Sequence, residues 1–207
     1  MRDLLVPRIS GIDLLPMIIV AACGAIIAAV YGVAHDQLTY SISSEYFTEV
    51  KFKQFSYVDF GFGDRVFVCF IGALASCWMG LVIAWFLARR LIPNQPRGRA
   101  VRQIGMGFAI VFGCGILFGF LGYGYGIWRG PNANYDVWLW ETRYYKITDI
   151  WAFVRVAYIH NASYLGGLVG LIAALWVLRP APATKRRVSL LEPIPEPMSQ
   201  NQWAERR

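Results

Sequence analysis

Four long apolar stretches constrain this chain more than any other feature. They cover residues 12–34, 66–88, 104–127 and 162–178. A transmembrane helix needs about 20 apolar residues, so the first three stretches are long enough to cross a bilayer. The fourth is short, and we expect the residues just before it to extend the same helix, giving a crossing over 152–178. The sequence therefore predicts an all-α integral membrane protein with four transmembrane helices.

The distribution of basic residues predicts the orientation of these helices. Of the 20 Lys and Arg residues, 13 lie before the first helix, between the second and third, or after the fourth. Because Lys and Arg are concentrated in cytoplasmic loops, both termini are expected to be cytoplasmic. The net charge of +7 is then explained by this bias, and no nucleic-acid partner is expected.

The remaining two connections, residues 35–65 and 128–149, are predicted to form a small cap on the outer face. Both are rich in aromatic residues, which is typical of segments at a membrane surface. In the first connection, the alternation over 38–42 is typical of a short strand, and a short helix is expected over 44–55. Residues 1–179 are thus predicted to form one membrane domain, and the proline-containing segment 180–207 a disordered cytoplasmic tail.

The only two histidines fall at the predicted outer ends of helices. His35 directly follows the first apolar stretch, and His160 comes just before the last. If the first and last helices are neighbours, the two imidazoles approach within ligand distance of one metal ion or one haem iron. The alternative is that each histidine only hydrogen-bonds to loop backbone and anchors its loop. Further polar candidates for this outer-face site are Asp36, Glu45, Tyr46, Glu49, Arg155 and Asn161.

Small residues recur at every fourth position in all four predicted helices, as in Gly24-Ala28-Gly32 and Gly166-Gly170-Ala174. Such spacing lets helix backbones approach closely in lipid. It is consistent with packing inside the chain, and also with a helix face that meets a partner subunit or a second copy of the chain.

Three functions are compatible with these features. The absence of charged residues within the first three apolar stretches, apart from Asp13, argues against a pump, and no catalytic triad is recognisable. The leading hypothesis is a non-enzymatic accessory or structural subunit that binds another membrane component. The alternatives are a haem- or metal-binding redox protein that uses His35 and His160, and a small channel or carrier, suggested by the glycine-rich third helix.

Two local patterns resemble a group of bacterial membrane proteins. The first is His35-Asp36-Gln37 followed by Thr39-Tyr40-Ser41-Ile42 and Glu45-Tyr46-Phe47-Thr48, and the second is the segment 160–167. This chain has Ser44 where the pattern is expected to have proline. The resemblance implies a multi-pass protein of the bacterial inner membrane and places the signature residues at the outer face, but it implies no activity.

Overall fold

The computed structural model describes residues 10–180, which form four long helices joined by short connections. The helices are α1 (Gly11–Ile42), α2 (Asp64–Leu91), α3 (Arg97–Arg129) and α4 (Ile150–Val177). All four are long and apolar enough to cross a membrane. No strand occurs within residues 10–180, so the predicted all-α membrane architecture is confirmed. Residues 181–207, which hold nearly all of the predicted tail, lie outside the described part.

The first three helices extend beyond their predicted bounds at both ends, and the longest single extension is at the C-terminal end of α1. This helix continues from the end of its apolar stretch to Ile42, so the predicted strand over 38–42 is wrong. Two polar side chains in this extension form hydrogen bonds to backbone carbonyls one turn earlier in the helix. The hydroxyl of Thr39 donates to the carbonyl of His35 at 3.1 Å, and that of Ser41 donates to the carbonyl of Gln37 at 3.0 Å.

The four helices form two tight pairs, α1 with α2 and α3 with α4. Small residues make each pair possible. A Cβ atom added to Gly24 would lie 2.7 Å from the carbonyl oxygen of Gly80, and one added to Gly170 would lie 2.7 Å from Cα of Val111. The small-residue repeats therefore pack within the chain, as one of the two sequence interpretations proposed.

The space between the two pairs is filled at one end of the bundle. A buried apolar cluster there draws on all four helices, with Met17, Leu87, Phe108 and Ala174 among its members. At the same end, Nε of Arg90 donates to the carbonyl of Leu178 at 3.2 Å and so links α2 to the end of α4. Because this end is packed with side chains, the pairs are held together firmly here.

The outward faces of the helices carry large apolar side chains, while glycine and alanine are concentrated where paired helices meet. Ile26, Val30, Phe120 and Leu121 are each more than half exposed. An exposed apolar surface of this extent on a soluble protein would drive association. On four membrane-spanning helices it is the surface that contacts lipid.

Two connections form the cap, which the structure confines to residues 43–63 and 130–149. The first holds a π-helical turn (Tyr46–Lys51) that leads into a short α-helix (Phe52–Gln54), which confirms the helix predicted over 44–55. The second holds a short helix (Leu139–Tyr144). Glu45 joins the two connections because its carboxylate accepts the backbone N–H groups of Thr148, at 3.2 Å, and of Asp149, at 2.9 Å. Asp149 is the N-cap of α4, so the first connection is tied to the start of the last helix.

Candidate metal centre

Three side chains that can bind metal meet where α1 and α4 approach the cap. Nδ1 of His35 lies 3.1 Å from Oδ1 of Asp36, and Nε2 of His160 lies 3.9 Å from the same oxygen. The two imidazole rings meet edge to face with their centroids 4.7 Å apart. Asp36 and His160 are buried, and the side chain of His35 is 16% exposed. The structure therefore brings the two histidines together, as the sequence analysis expected for neighbouring first and last helices.

The geometry of this cluster is close to that of a metal site. One ligand atom from each of His35, Asp36 and His160 can be chosen so that all three lie within 4.8 Å of one another. Ligands bound to Zn²⁺ at about 2.0–2.2 Å in a tetrahedral arrangement lie about 3.3 Å apart. The two distances from the Asp36 oxygen, 3.1 and 3.9 Å, lie on either side of this value. With separations of up to 4.8 Å among the three ligand atoms, the side chains would have to move closer together to complete a three-ligand site.

The side chain of Thr39 contacts the imidazole of His160. Its hydroxyl oxygen lies 3.3 Å from Nε2 of His160, and the residue is 1% exposed. Since this hydroxyl donates its one proton to the carbonyl of His35, it accepts here from the protonated form of Nε2. Nε2 is also the nitrogen of His160 that lies 3.9 Å from Asp36, so a metal ion bound to Nε2 would replace its proton and this hydrogen bond.

The cap closes over the cluster with aromatic rings. The ring of Tyr46 lies nearly parallel to that of His160, with a centroid distance of 5.0 Å and an interplanar angle of 29°. Phe47 is fully buried beside it. Burial raises the pKa of Tyr46, so its phenol stays neutral at physiological pH. Burial also lowers the pKa of Lys51, while the nearby Asp36 acts in the opposite direction.

Beneath the cluster lies a cavity of about 70 Å³ that is lined by all four helices. Its lining includes the three cluster residues and the polar side chains of Tyr31, Ser76, Ser163 and Tyr164. A cavity needs only about 10–15 Å³ to hold a water molecule, so this one has room for an ion with bound water. Within the described residues, Nε2 of His35 and Oγ of Ser163 are buried without a hydrogen-bond partner. Buried polar atoms of this kind are uncommon, and here they line a cavity.

The other predicted site residues lie elsewhere. Glu45 bonds to Thr148 and Asp149, and Glu49 pairs with Lys53 at 3.0 Å on the surface of the cap. The guanidinium carbon of Arg155 lies 4.1 Å from the ring centroid of Trp151. Asn161 is exposed on the outside of α4. Of the six additional candidates, the structure places only Asp36 and Tyr46 against the histidines.

The pKa of Glu45 is determined by its hydrogen bonds within the cap. Burial tends to raise its pKa, but the hydrogen bonds from Thr148 and Asp149 together outweigh burial and hold the pKa below its ordinary value. The ionised carboxylate is thus the stable form at neutral pH. Its position at the start of α4 also favours negative charge, since helix N-termini carry partial positive charge.

Sequence reasoning missed several residues around the cluster that helical spacing would have identified. Thr39 and Tyr31 are four residues after and before His35, and Ser163 and Tyr164 are three and four residues after His160. Residues at these spacings share one helix face. The prediction ended the first helix at residue 34 and placed a strand over 38–42, so this relation to His35 was lost.

The cluster suits a metal ion better than a haem. Two histidines on opposite faces of a haem would have donor nitrogens about 4 Å apart across the iron, with a porphyrin plane between the rings. Here the rings meet edge to face at 4.7 Å, with Oδ1 of Asp36 close to both.

Comparison with protein-family models, with curated proteins and with solved structures gave no match. The site is therefore interpreted from its own geometry. What the fold establishes is a multi-pass membrane protein with four apolar helices.

Proposed function

We propose that this protein binds a divalent transition-metal ion of the Zn²⁺ class at the cap end of its membrane domain, through His35, Asp36 and His160. The observation that carries the proposal is the convergence of these three side chains, from two helices, within 4.8 Å of one another beside a polar cavity. A buried cluster with one carboxyl group and two imidazoles costs free energy unless its charge is compensated, and a bound cation compensates it.

The ligand types determine which ions the site would prefer. Imidazole nitrogens suit Zn²⁺, Cu²⁺, Ni²⁺ and Fe²⁺, whereas Ca²⁺ and Mg²⁺ need a larger set of oxygen ligands. Three protein ligands leave a fourth position for water or another molecule, the arrangement of reactive rather than purely structural zinc sites. The cavity beneath the cluster supplies space for that fourth ligand.

The location is part of the same proposal. The excess of Lys and Arg in the connection opposite the cap supports a cytoplasmic position for both termini, and the sequence resemblance supports a bacterial inner membrane. The cap and the ion would then face the outer side. A reporter enzyme that requires the cytoplasm, fused after Arg207, is expected to be active, and one fused within the cap after Phe60 is expected to be inactive; the reverse result would contradict this orientation.

The accessory-subunit hypothesis receives less support from the structure. It relied on the small-residue repeats, the aromatic cap and the lack of buried charge. The repeats pack within the chain, and Asp36 is a buried ionisable residue. A membrane-protein partner or a second copy would have to bind the outward apolar faces or the cap. We therefore rank ion binding first among the three functions.

Metal analysis of the purified protein tests the proposal. Wild-type protein loaded with Zn²⁺ and dialysed is expected to retain one ion per chain. His160→Ala and Asp36→Asn are expected to weaken binding by about 100-fold or more, since each removes a ligand. Glu49→Gln is the matched control, because Glu49 is a carboxylate of the cap that does not contact the cluster.

A thermal melt of each variant without metal separates loss of binding from loss of folding. A folded wild-type protein that retains no stoichiometric Zn²⁺, Cu²⁺, Ni²⁺ or Fe²⁺ would overturn the proposal. Equal binding by His160→Ala and the wild type would place the ion elsewhere and would also contradict it.

A further inference from the structure

A second, larger cavity adjoins the candidate metal centre. It has a volume of about 560 Å³ and lies between α1, α3 and α4. Its walls are mainly apolar and include Leu38, Ile116, Phe120 and Ile159. Cavities of about 300–1,000 Å³ with apolar walls and a few polar groups are typical of sites for small organic ligands.

This cavity opens towards the lipid-facing surface. Leu38 is 63% exposed and Phe120 is 68% exposed, and both lie on membrane-spanning helices. The two tight helix pairs contact each other only sparsely along this side, so α1 and α3 leave a gap between them. A molecule dissolved in the bilayer would therefore reach the cavity without passing through water.

Among the residues that the structure describes, five polar ones line this cavity: Tyr31, His35, Thr39, Tyr123 and Ser163. Three of them, Tyr31, His35 and Ser163, also line the smaller cavity beneath the metal cluster. Within residues 10–180, Nε2 of His35 and Oγ of Ser163 have no hydrogen-bond partner and are shielded from solvent. An apolar cavity with two unsatisfied polar atoms is complementary to a molecule with an apolar body and one small polar head.

We propose that this cavity binds an amphipathic lipid whose head group is a neutral hydroxyl, such as a phenol or an alcohol with an apolar tail. A hydroxyl is both a donor and an acceptor, as is the hydroxyl of Ser163. Nδ1 of His35 lies 3.1 Å from the carboxyl group of Asp36, which leaves Nε2 available to the head group. The hydroxyl donates to Nε2 where that nitrogen is unprotonated and accepts from it where it is protonated, so one head group suits both tautomers. An anionic head group is disfavoured because, among residues 10–180, no Lys or Arg side chain lines the cavity.

This inference goes beyond the proposed ion binding and does not depend on it. The test uses the full-length protein in nanodiscs, kept free of metal with a chelator, and two probes, 4-nonylphenol and its methyl ether 4-nonylanisole. Binding is measured as the excess over empty nanodiscs of the same lipid. The phenol is expected to bind about 5- to 10-fold more tightly than the ether, the effect of one buried hydrogen bond.

Two variants locate the site. Ser163→Ala is expected to reduce the preference for the phenol over the ether, and Ile116→Trp is expected to reduce binding of both probes by filling the cavity. Leu121→Ala, an exposed apolar residue outside the cavity lining, is the control and should leave both affinities unchanged.

Equal affinity of wild-type protein for the two probes would overturn the proposal, because the cavity would then accept only an apolar chain. Binding that is unchanged in Ile116→Trp would also overturn it. If Ser163→Ala does not fold, the comparison of the two probes on wild-type protein still decides the question. Since every measurement is made with chelator present, failure here is distinguishable from failure of the metal proposal.

Discussion

The contacts inside each helix pair differ in kind from the contacts between the two pairs. Inside a pair, glycine allows the backbones to touch, and an added Cβ would collide, as at Gly24 against Gly80. Between the pairs, the bundle is packed with side chains at one end and contains two cavities near the cap. The comparison teaches that the pairs act as stable frames, and that the space between them is where polar side chains gather.

This division follows from the physics of a bilayer. In lipid there is little hydrophobic drive for helices to associate, so close van der Waals packing must hold them together. A pair with glycine contacts along its length gains that packing without polar groups. Polar residues such as Asp36 and His160 are then placed where the second pair covers them, away from lipid.

The largest effect is expected from a substitution inside a pair. Gly24→Val is predicted to destabilise the protein by about 3 kcal/mol, because the new side chain meets Ala84 and the backbone of Gly80 in α2, which cannot move aside. The measurement is unfolding in detergent followed by far-UV circular dichroism. Gly113→Val is the control, because nothing lies within 4 Å of a Cβ at that position. If the two variants unfolded alike, the tight-pair description would be wrong.

A smaller effect is expected from the packed end between the pairs. Leu87 is fully buried there, and Leu87→Ala is predicted to cost about 2 kcal/mol. The cost is below that in a soluble core, because the side chain moves from protein into lipid rather than into water on unfolding. The same unfolding experiment in detergent measures this loss of stability, with the exposed Leu121→Ala as the control. The affinity for Zn²⁺ should not change, and a large change would mean that the two ends are coupled.

Glu45 tests the link between the pairs at the cap, because it connects the end of α1 to the start of α4. Glu45→Gln is predicted to cost about 1 kcal/mol, because it replaces an ionised acceptor of two backbone N–H groups with a neutral one. The lowered pKa of Glu45 also predicts a pH dependence. Its contribution is present above the unfolded-state pKa, near 4.5, and is lost as the pH falls through the lower pKa of the folded state.

Melting temperatures of wild type and Glu45→Gln between pH 7 and pH 3 measure this dependence. The difference between the two proteins should be constant near neutral pH and should shrink in acid. A difference in melting temperature that grew as the pH fell would contradict the interpretation that Glu45 is ionised in the folded protein.

The smallest effect is expected on the surface of the cap. Lys53→Ala removes the exposed pair with Glu49 and is predicted to change stability by less than about 0.5 kcal/mol. Its Nζ also lies 5.4 Å from the ring centroid of Tyr145, which is a weak contact at an exposed position. Chemical denaturation of this variant beside Glu45→Gln would rank the two cap interactions. A larger loss of stability in Lys53→Ala than in Glu45→Gln would contradict this prediction.

The sequence was sufficient to predict the number of helices, because long uncharged stretches have few alternatives to spanning a bilayer. It also predicted that His35 and His160 lie at the same end. It was not sufficient to predict the end of α1, because His35-Asp36-Gln37 has the composition of a segment leaving the membrane. In the structure that segment stays helical, and Asp36 is buried by α4 and the cap.

Contacts between distant parts of the chain were also beyond sequence reasoning. The stacking of Tyr46 on His160 depends on how the π-helical turn is held by Glu45 against the start of α4. No local pattern encodes that distance. The small-residue repeats were recognisable, but which helix each one meets depends on the pairing, which only the structure provides.

The ligands of the candidate centre come from both frames, two from α1 and one from α4. Any relative sliding or rotation of the frames would therefore change the distance between His35 and His160 directly. A cation bound there would link the two helix pairs, and its removal would allow one pair to move relative to the other. Ion occupancy and the separation of the two halves are thus thermodynamically linked, so that each would report on the other.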